Sequence, residues 1–288
     1  MARYGERITV LSIDGGGELD GPEARLADYF DIIAGSSTGG LIATMLTAPN
    51  QHGRPLYAAK DIIFHFIKSN AKMDPGFDSL LSDICIGTSS APVYFPAHLF
   101  KTKDCHGNEY DREFNLIDGG IAANNPALLA MRPTGAKANL LPANVLDYGK
   151  YLVLSVGTGT FKSERKYDAI RAAKCPLVDA FTFATLLAGH INNYLRIQDD
   201  NLSGDASSTN KATKKCMENL VKIGNNILQK PISRMNLETC INEAVENEGT
   251  NEQALIRFAK LLSQEKKLRT KRMEEKNVFG LMDMHEQL

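Results

Sequence analysis

The sequence has no tryptophan, and aromatic residues make up only 7% of its 288 positions. A stacking platform for nucleic-acid bases is therefore poorly supplied. Neither sign of charge is in excess: 33 Lys and Arg stand against 34 Asp and Glu, a formal net charge of -1. No nucleic-acid partner is expected, because such binding needs a concentrated basic face. A membrane surface stays open as a partner, since apolar patches can meet it without net charge. There is no CxxC pair. The five cysteines, Cys85, Cys105, Cys175, Cys216 and Cys240, are odd in number and scattered, so neither a zinc site nor a disulfide framework is expected. Free thiols in a reducing cytosol are the simpler reading. No apolar stretch is long enough to span a bilayer, and Met1 to Arg7 lacks the apolar core of a signal peptide. The expectation is a cytoplasmic chain without transmembrane anchoring, at most peripheral at membranes.

What is present reads as an α/β domain. Four short apolar or β-branched runs, 8–13, 30–34, 114–117 and 151–156, are each closed by a glycine-containing turn, as buried strands are. Helical patterns lie between them, over 39–47 and 58–68. Strands alternating with helices predict a mainly parallel sheet. After residue 160 the strand signal fades. The spacing there predicts helices over 167–174 and 177–195, a polar loop over 203–210, and a helix carrying Cys216, Leu220, Ile223 and Ile227 that ends at Pro231. Thr250-Asn251-Glu252-Gln253 fits a capping box opening a last helix, with Leu255, Phe258, Ala259 and Leu262 as its buried stripe. The charged run from Glu265 onward reads as a solvated helix end or frayed tail.

Three segments could carry chemistry. Gly35-Ser36-Ser37-Thr38-Gly39 has the G-x-S-x-G form between a predicted strand and a predicted helix, the setting of a nucleophile elbow. Gly35 and Gly39 would let the backbone fold tightly around Ser37, and the new helix would turn its free amides toward the serine oxygen. The same letters also make an idle Gly/Ser turn. Asp14-Gly15-Gly16-Gly17 ends the first strand. It lacks the Lys-Ser/Thr pair of a phosphate-binding loop and the spacing of a dinucleotide fingerprint, which leaves an oxyanion hole or a plain flexible turn. Asp118-Gly119-Gly120 ends the third strand, where the carboxylate could serve as base for Ser37 or simply cap an Asx turn. A Ser-Asp-His triad would need a histidine after Asp118. His190 falls mid-helix and His285 in the terminal region, so a Ser–Asp dyad fits better. No metal site and no cofactor are expected.

Taken together, these three segments resemble the patatin-like phospholipase family. The likeness extends through Gly87-Thr88-Ser89-Ser90-Ala91-Pro92-Val93-Tyr94-Phe95-Pro96, through 115–126, Val156-Gly157-Thr158-Gly159, 193–200 and the Thr250-Asn251-Glu252 helix start, nearly the whole chain. The resemblance implies a three-layer α/β/α fold with a mainly parallel central sheet and a mostly helical C-terminal part. It divides the chain into a shortened catalytic core over 8–160, a helical part of the same domain over 161–265, and a charged tail over 266–288. It implies a lipid acyl hydrolase, with Ser37 as nucleophile, Asp118 as general base, and the amides of Gly15, Gly16 and Gly17 as oxyanion donors. Its substrates would be phospholipids and galactolipids at a bilayer surface, with a defence-linked role in plants.

The sequence also departs from the family's pattern. The basic residue expected after the glycine loop is replaced by Glu18-Leu19-Asp20, and the long helix that should follow has no counterpart before Tyr29. Further omissions fall near 72–77 and 173–176. The joins are abrupt, as omitted exons would leave them. Shortening next to an oxyanion loop can displace donors, and a shift of about 1 Å costs on the order of 100-fold in rate. A catalytically impaired form that only binds lipid or a partner is therefore one alternative. An α/β-hydrolase esterase with a Ser-Asp-His triad is the other.

Overall fold

Strands buried on both faces need apolar side chains on both faces, and Ile8–Ile13 supplies them. The computed structural model describes residues 7–13, 29–46, 79–103, 106–131, 151–159, 193–208, 211, 213–236 and 241–285. Within these, Ile8–Ile13 (β1) runs parallel to Ile32–Gly35 (β2) on one side and to Tyr151–Val156 (β5) on the other. Val10 sits between Ile32 and Val153 in this register. Tyr194–Ile197 (β6) adds a fourth parallel strand beyond β5, giving the order β2-β1-β5-β6. Val10, Ile33 and Leu152 are fully buried, and Met131, Phe258 and Leu262 close over them from helices. The fold is α/β with a parallel central sheet.

One expected helix and one expected strand differ from the sequence reading. The helix expected over 177–195 does not include Tyr194 and Leu195, which belong to β6; residues 177–192 lie outside the described set. The strand expected at 114–117 is the end of a longer one, Glu109–Leu116 (β4), which pairs antiparallel with His98–Lys103 (β3) in a separate two-stranded hairpin. Charge explains this. Glu109, Arg112 and Glu113 suit a ribbon with one wet face and would be costly in a sheet covered on both sides. Phe100 and Phe114 stack across the hairpin at 4.9 Å between ring centroids.

The described α-helices that start at Thr38, Lys214 and Asn251 follow their sequence signals more closely, while the other three have no such reading. Thr38–Met45 (α1) starts directly after β2. Leu81–Thr88 (α2) precedes the hairpin, and two short helices, Gly120–Ala123 (α3) and Ala127–Met131 (α4), follow it. Lys214–Gln229 (α5) stops one residue short of Lys230, whose extended backbone is the conformation a residue before proline prefers. A small antiparallel hairpin, Ser233–Asn236 (β7) with Ile241–Ala244 (β8), leads to Asn251–His285 (α6).

The capping box is made in full. The Thr250 amide donates to Gln253 Oε1 at 3.1 Å, and the Gln253 amide donates to Thr250 Oγ1 at 3.3 Å. Ala254, Phe258 and Leu262 form the buried stripe, with Leu255 packed beside it. The charged run beyond it is not simply solvated. Glu265 is fully buried, and the Arg269 guanidinium donates to Asp31 Oδ1 at 2.9 Å and to Thr9 Oγ1 at 3.1 Å. The helix expected over 58–68 and the glycine loop after β1 lie outside the described residues.

Candidate active site

Parallel strands put all their carboxyl ends on one side of a sheet, and open α/β folds use that side for ligands. Here β2 ends at Gly35, and the chain turns at once into α1. The turn is sharp enough to require glycine: a Cβ on Gly35 would lie 2.0 Å from the carbonyl oxygen of Gly39. Ser37 stands at the apex with φ 53 and ψ -126. A non-glycine residue with positive φ is strained, and such strain must be held by its surroundings.

Four hydrogen bonds hold the turn. The Ser37 carbonyl accepts from the amides of Gly40 at 3.0 Å and Leu41 at 3.3 Å, opening α1. The Ser37 amide donates to Thr88 Oγ1 at 3.2 Å. The neighbouring Ser36 hydroxyl donates to the Asn124 carbonyl at 2.9 Å.

Asp118 follows β4 and is buried to 6% exposure. Its two carboxyl oxygens face different donors. Oδ1 accepts from the Gly120 amide at 2.7 Å. Oδ2 accepts from the Ser37 hydroxyl at 2.5 Å. The Asp118 amide donates to the Ser90 carbonyl at 2.9 Å, and the Gly119 amide donates to the Thr88 carbonyl at 3.3 Å. The glycines after Asp118 make room. A Cβ on Gly120 would lie 2.9 Å from Asp118 Oδ1, and one on Gly119 would press at 3.4 Å on both Ser36 and Thr88.

The structure thus brings together residues 81 positions apart: a serine hydroxyl on a strained elbow and a buried carboxylate within hydrogen-bond reach. Nucleophile and base are paired in this way in serine hydrolases. The motif glycines Gly35, Gly39, Gly119 and Gly120 all pack in this cluster. Gly15, Gly16 and Gly17 lie outside the described residues.

Among the described residues, no histidine is a hydrogen-bond partner of Ser37 or Asp118; His98 instead meets Asp83 at 2.9 Å, and His190 lies outside the described set. Also among the described residues, no group of three or more His, Cys, Asp or Glu could hold a metal ion, and no helix is long and apolar enough to cross a membrane.

Sequence reasoning gave Thr88, Ser90 and Asn124 no role of their own. The only trace of one is the run of small hydroxyl residues at the end of α2, Thr88-Ser89-Ser90. Its carbonyls and hydroxyls bind both the elbow and the Asp118 segment.

No protein-family model matches the chain. It is similar to known plant proteins. Patatin-like protein 2 of Arabidopsis thaliana is 39% identical, in an alignment covering 92% of this chain and 93% of that protein. Patatin-like protein 2 of Oryza sativa subsp. indica is 36% identical over 91% and 94%. Patatin-2-Kuras 4 of Solanum tuberosum is 34% identical over 93% and 96%. The alignment with the Arabidopsis protein runs over 383 positions. At least 95 of these (383 less the 288 residues of the whole chain) therefore have no counterpart here.

Proposed function

The chain belongs to the patatin-like proteins, a family of lipid acyl hydrolases, and from that premise we propose that it cleaves acyl esters of membrane phospholipids and galactolipids through a Ser37–Asp118 dyad. The hydrogen bond of 2.5 Å from Ser37 Oγ to Asp118 Oδ2 carries this reading.

In the proposed reaction Ser37 Oγ attacks the ester carbonyl carbon while Asp118 takes its proton. The carbonyl oxygen becomes an oxyanion, stabilised by the amides of Gly15, Gly16 and Gly17. Collapse of this intermediate breaks the ester bond, and Asp118 returns the proton to the departing alcohol. The acyl group remains on Ser37. Water, deprotonated by Asp118, then attacks the acyl-enzyme, frees the fatty acid and regenerates the serine. Asp118 is suited to both proton transfers because the Gly120 amide fixes one carboxyl oxygen and leaves the other toward Ser37. No metal or cofactor is needed for any step.

A fluorophosphonate probe tests the nucleophile. The wild-type chain should be labelled and Ser37→Ala should not; labelling that survives Ser37→Ala would sink the assignment. Esterase activity should fall by about 10^4-fold or more in the same variant.

A second reading is favoured by the 95 or more alignment positions without a counterpart. In it the chain is a catalytically impaired relative that binds lipid without cleaving it. This reading predicts an unlabelled wild type that still sediments with lipid vesicles.

A further inference from the structure

Large apolar side chains exposed to solvent lie close along the chain to Ser90 and Asp118. Val93 is 100% exposed, Phe95 63% and Tyr94 55%, with Ile117 and Ile121 exposed on either side of Asp118 along the chain. The segment carrying the first three is tied to the dyad. It begins two residues after Ser90, whose carbonyl accepts the Asp118 amide.

Two features set residues 92–96 apart from an ordinary surface turn. Val93 has φ 77, a strained conformation for a β-branched residue, and its complete exposure leaves no packing to offset that strain. The segment's amide N–H groups, meanwhile, need little from water. Pro92 and Pro96 have no N–H, and the amides of Tyr94 and Phe95 both donate to the Ala91 carbonyl, at 3.1 and 2.9 Å. Residues 91–97, Ala-Pro-Val-Tyr-Phe-Pro-Ala, carry no charge.

An apolar phase penalises every unsatisfied amide and every charge, whereas water and a polar protein surface do not. A charge-free turn with most of its amides satisfied internally and its apolar side chains outward meets that requirement. Its aromatic pair, one ring bearing a hydroxyl, suits the boundary between headgroups and acyl chains.

We propose that residues 92–96 are a membrane-insertion loop that seats the Ser37–Asp118 site against the acyl-chain boundary of a lipid bilayer. This rests on the acyl-hydrolase reading, because the loop's use is to bring lipid esters to that serine. The adjoining hairpin adds no surplus positive charge: over 98–116, Lys101, Lys103 and Arg112 stand against Asp104, Glu109, Asp111 and Glu113. Apolar insertion, not anionic lipid, therefore sets the affinity, and binding should change little with salt.

The test uses the full chain and vesicles of phosphatidylcholine. Val93→Asp and Phe95→Asp should each lower vesicle partitioning by about tenfold or more. Val221→Asp, at an exposed apolar position on α5, should leave it unchanged. Val221→Asp should also hydrolyse a water-soluble short-chain ester at the wild-type rate. Phe95→Ser, a milder change with the same expected direction, decides the matter if an aspartate variant unfolds. The chain has no tryptophan, so Phe95→Trp gives a single reporter. Its emission should shift to the blue with vesicles and be quenched by lipids spin-labelled near the headgroup.

The insertion loop is overturned if wild type fails to sediment, if loop variants bind like wild type, or if Val221→Asp binds as poorly as they do. The hydrolase reading fails separately, when wild type binds vesicles but cleaves neither soluble ester nor lipid.

Discussion

Ser37 and Asp118 depend on neighbours that have no chemistry of their own. Asp118 presents Oδ2 to the serine because Gly120 holds Oδ1 and Ser90 holds its amide. Replacing Asp118 by Asn keeps the shape and removes the base. The kcat for a soluble ester should fall by about 10^2- to 10^4-fold with KM little changed, measured under steady-state conditions. Thr88 acts one step further out, as a positioning residue. Thr88→Val removes the acceptor for the Ser37 amide while keeping the side chain's volume. A loss of about 10- to 100-fold in kcat is expected, with the unfolding midpoint near wild type, because small displacements of a nucleophile are costly in rate. The elbow serine, the carboxylate it meets and the flanking glycines were all legible as candidates in the sequence, since the strand-turn-helix setting of G-x-S-x-G and the Asp-Gly-Gly end of a strand are local patterns. Thr88, Ser90 and Asn124 were not legible, because their roles exist only once segments distant in sequence meet.

Among the elements, those with strong local signals came through from the sequence. β1 and β5 are mostly apolar, α1 starts at the elbow, and α6 starts at its reciprocal capping box. β6 was missed because Tyr194-Leu195-Arg196-Ile197 is four residues long and lies at the sheet edge, too short to set its own periodicity. The β3–β4 hairpin was half seen: its apolar end read as a strand, while its charged start carried no strand signal.

The far part of α6 gives the clearest correction to a charge-run argument. Arg269 reaches across to Asp31 and Thr9 near the start of the sheet, and Asp31 in turn accepts from the Thr9 amide at 2.8 Å. Arg269→Ala should lower stability by about 1–2 kcal/mol in urea unfolding, a modest loss because the pair is partly solvated and Asp31 keeps its Thr9 bonds. Lys271→Ala, at a pair exposed to 72% and 55%, should stay within about 0.5 kcal/mol.

For the whole molecule, the site is assembled from pieces that depend on the fold as a unit: the elbow after β2, the end of α2, and the turn after β4. The family resemblance runs nearly end to end, yet at least 95 alignment positions of the Arabidopsis relative are missing. The sequence placed the largest omissions after Gly17 and near 72–77, the first of them beside the glycines assigned to the oxyanion. The two proposals are therefore separable by experiment: one places lipid affinity in residues 92–96, the other places turnover at Ser37 and Asp118. The most direct measurement is to trap the intermediate. The intact chain is incubated with a slowly deacylated p-nitrophenyl ester, quenched in acid, digested and analysed by mass spectrometry. The dyad mechanism predicts one added acyl mass on the peptide bearing Ser37, absent from Ser37→Ala and strongly reduced in Asp118→Asn. An acyl group on any other residue, or none despite measurable ester cleavage, would contradict it.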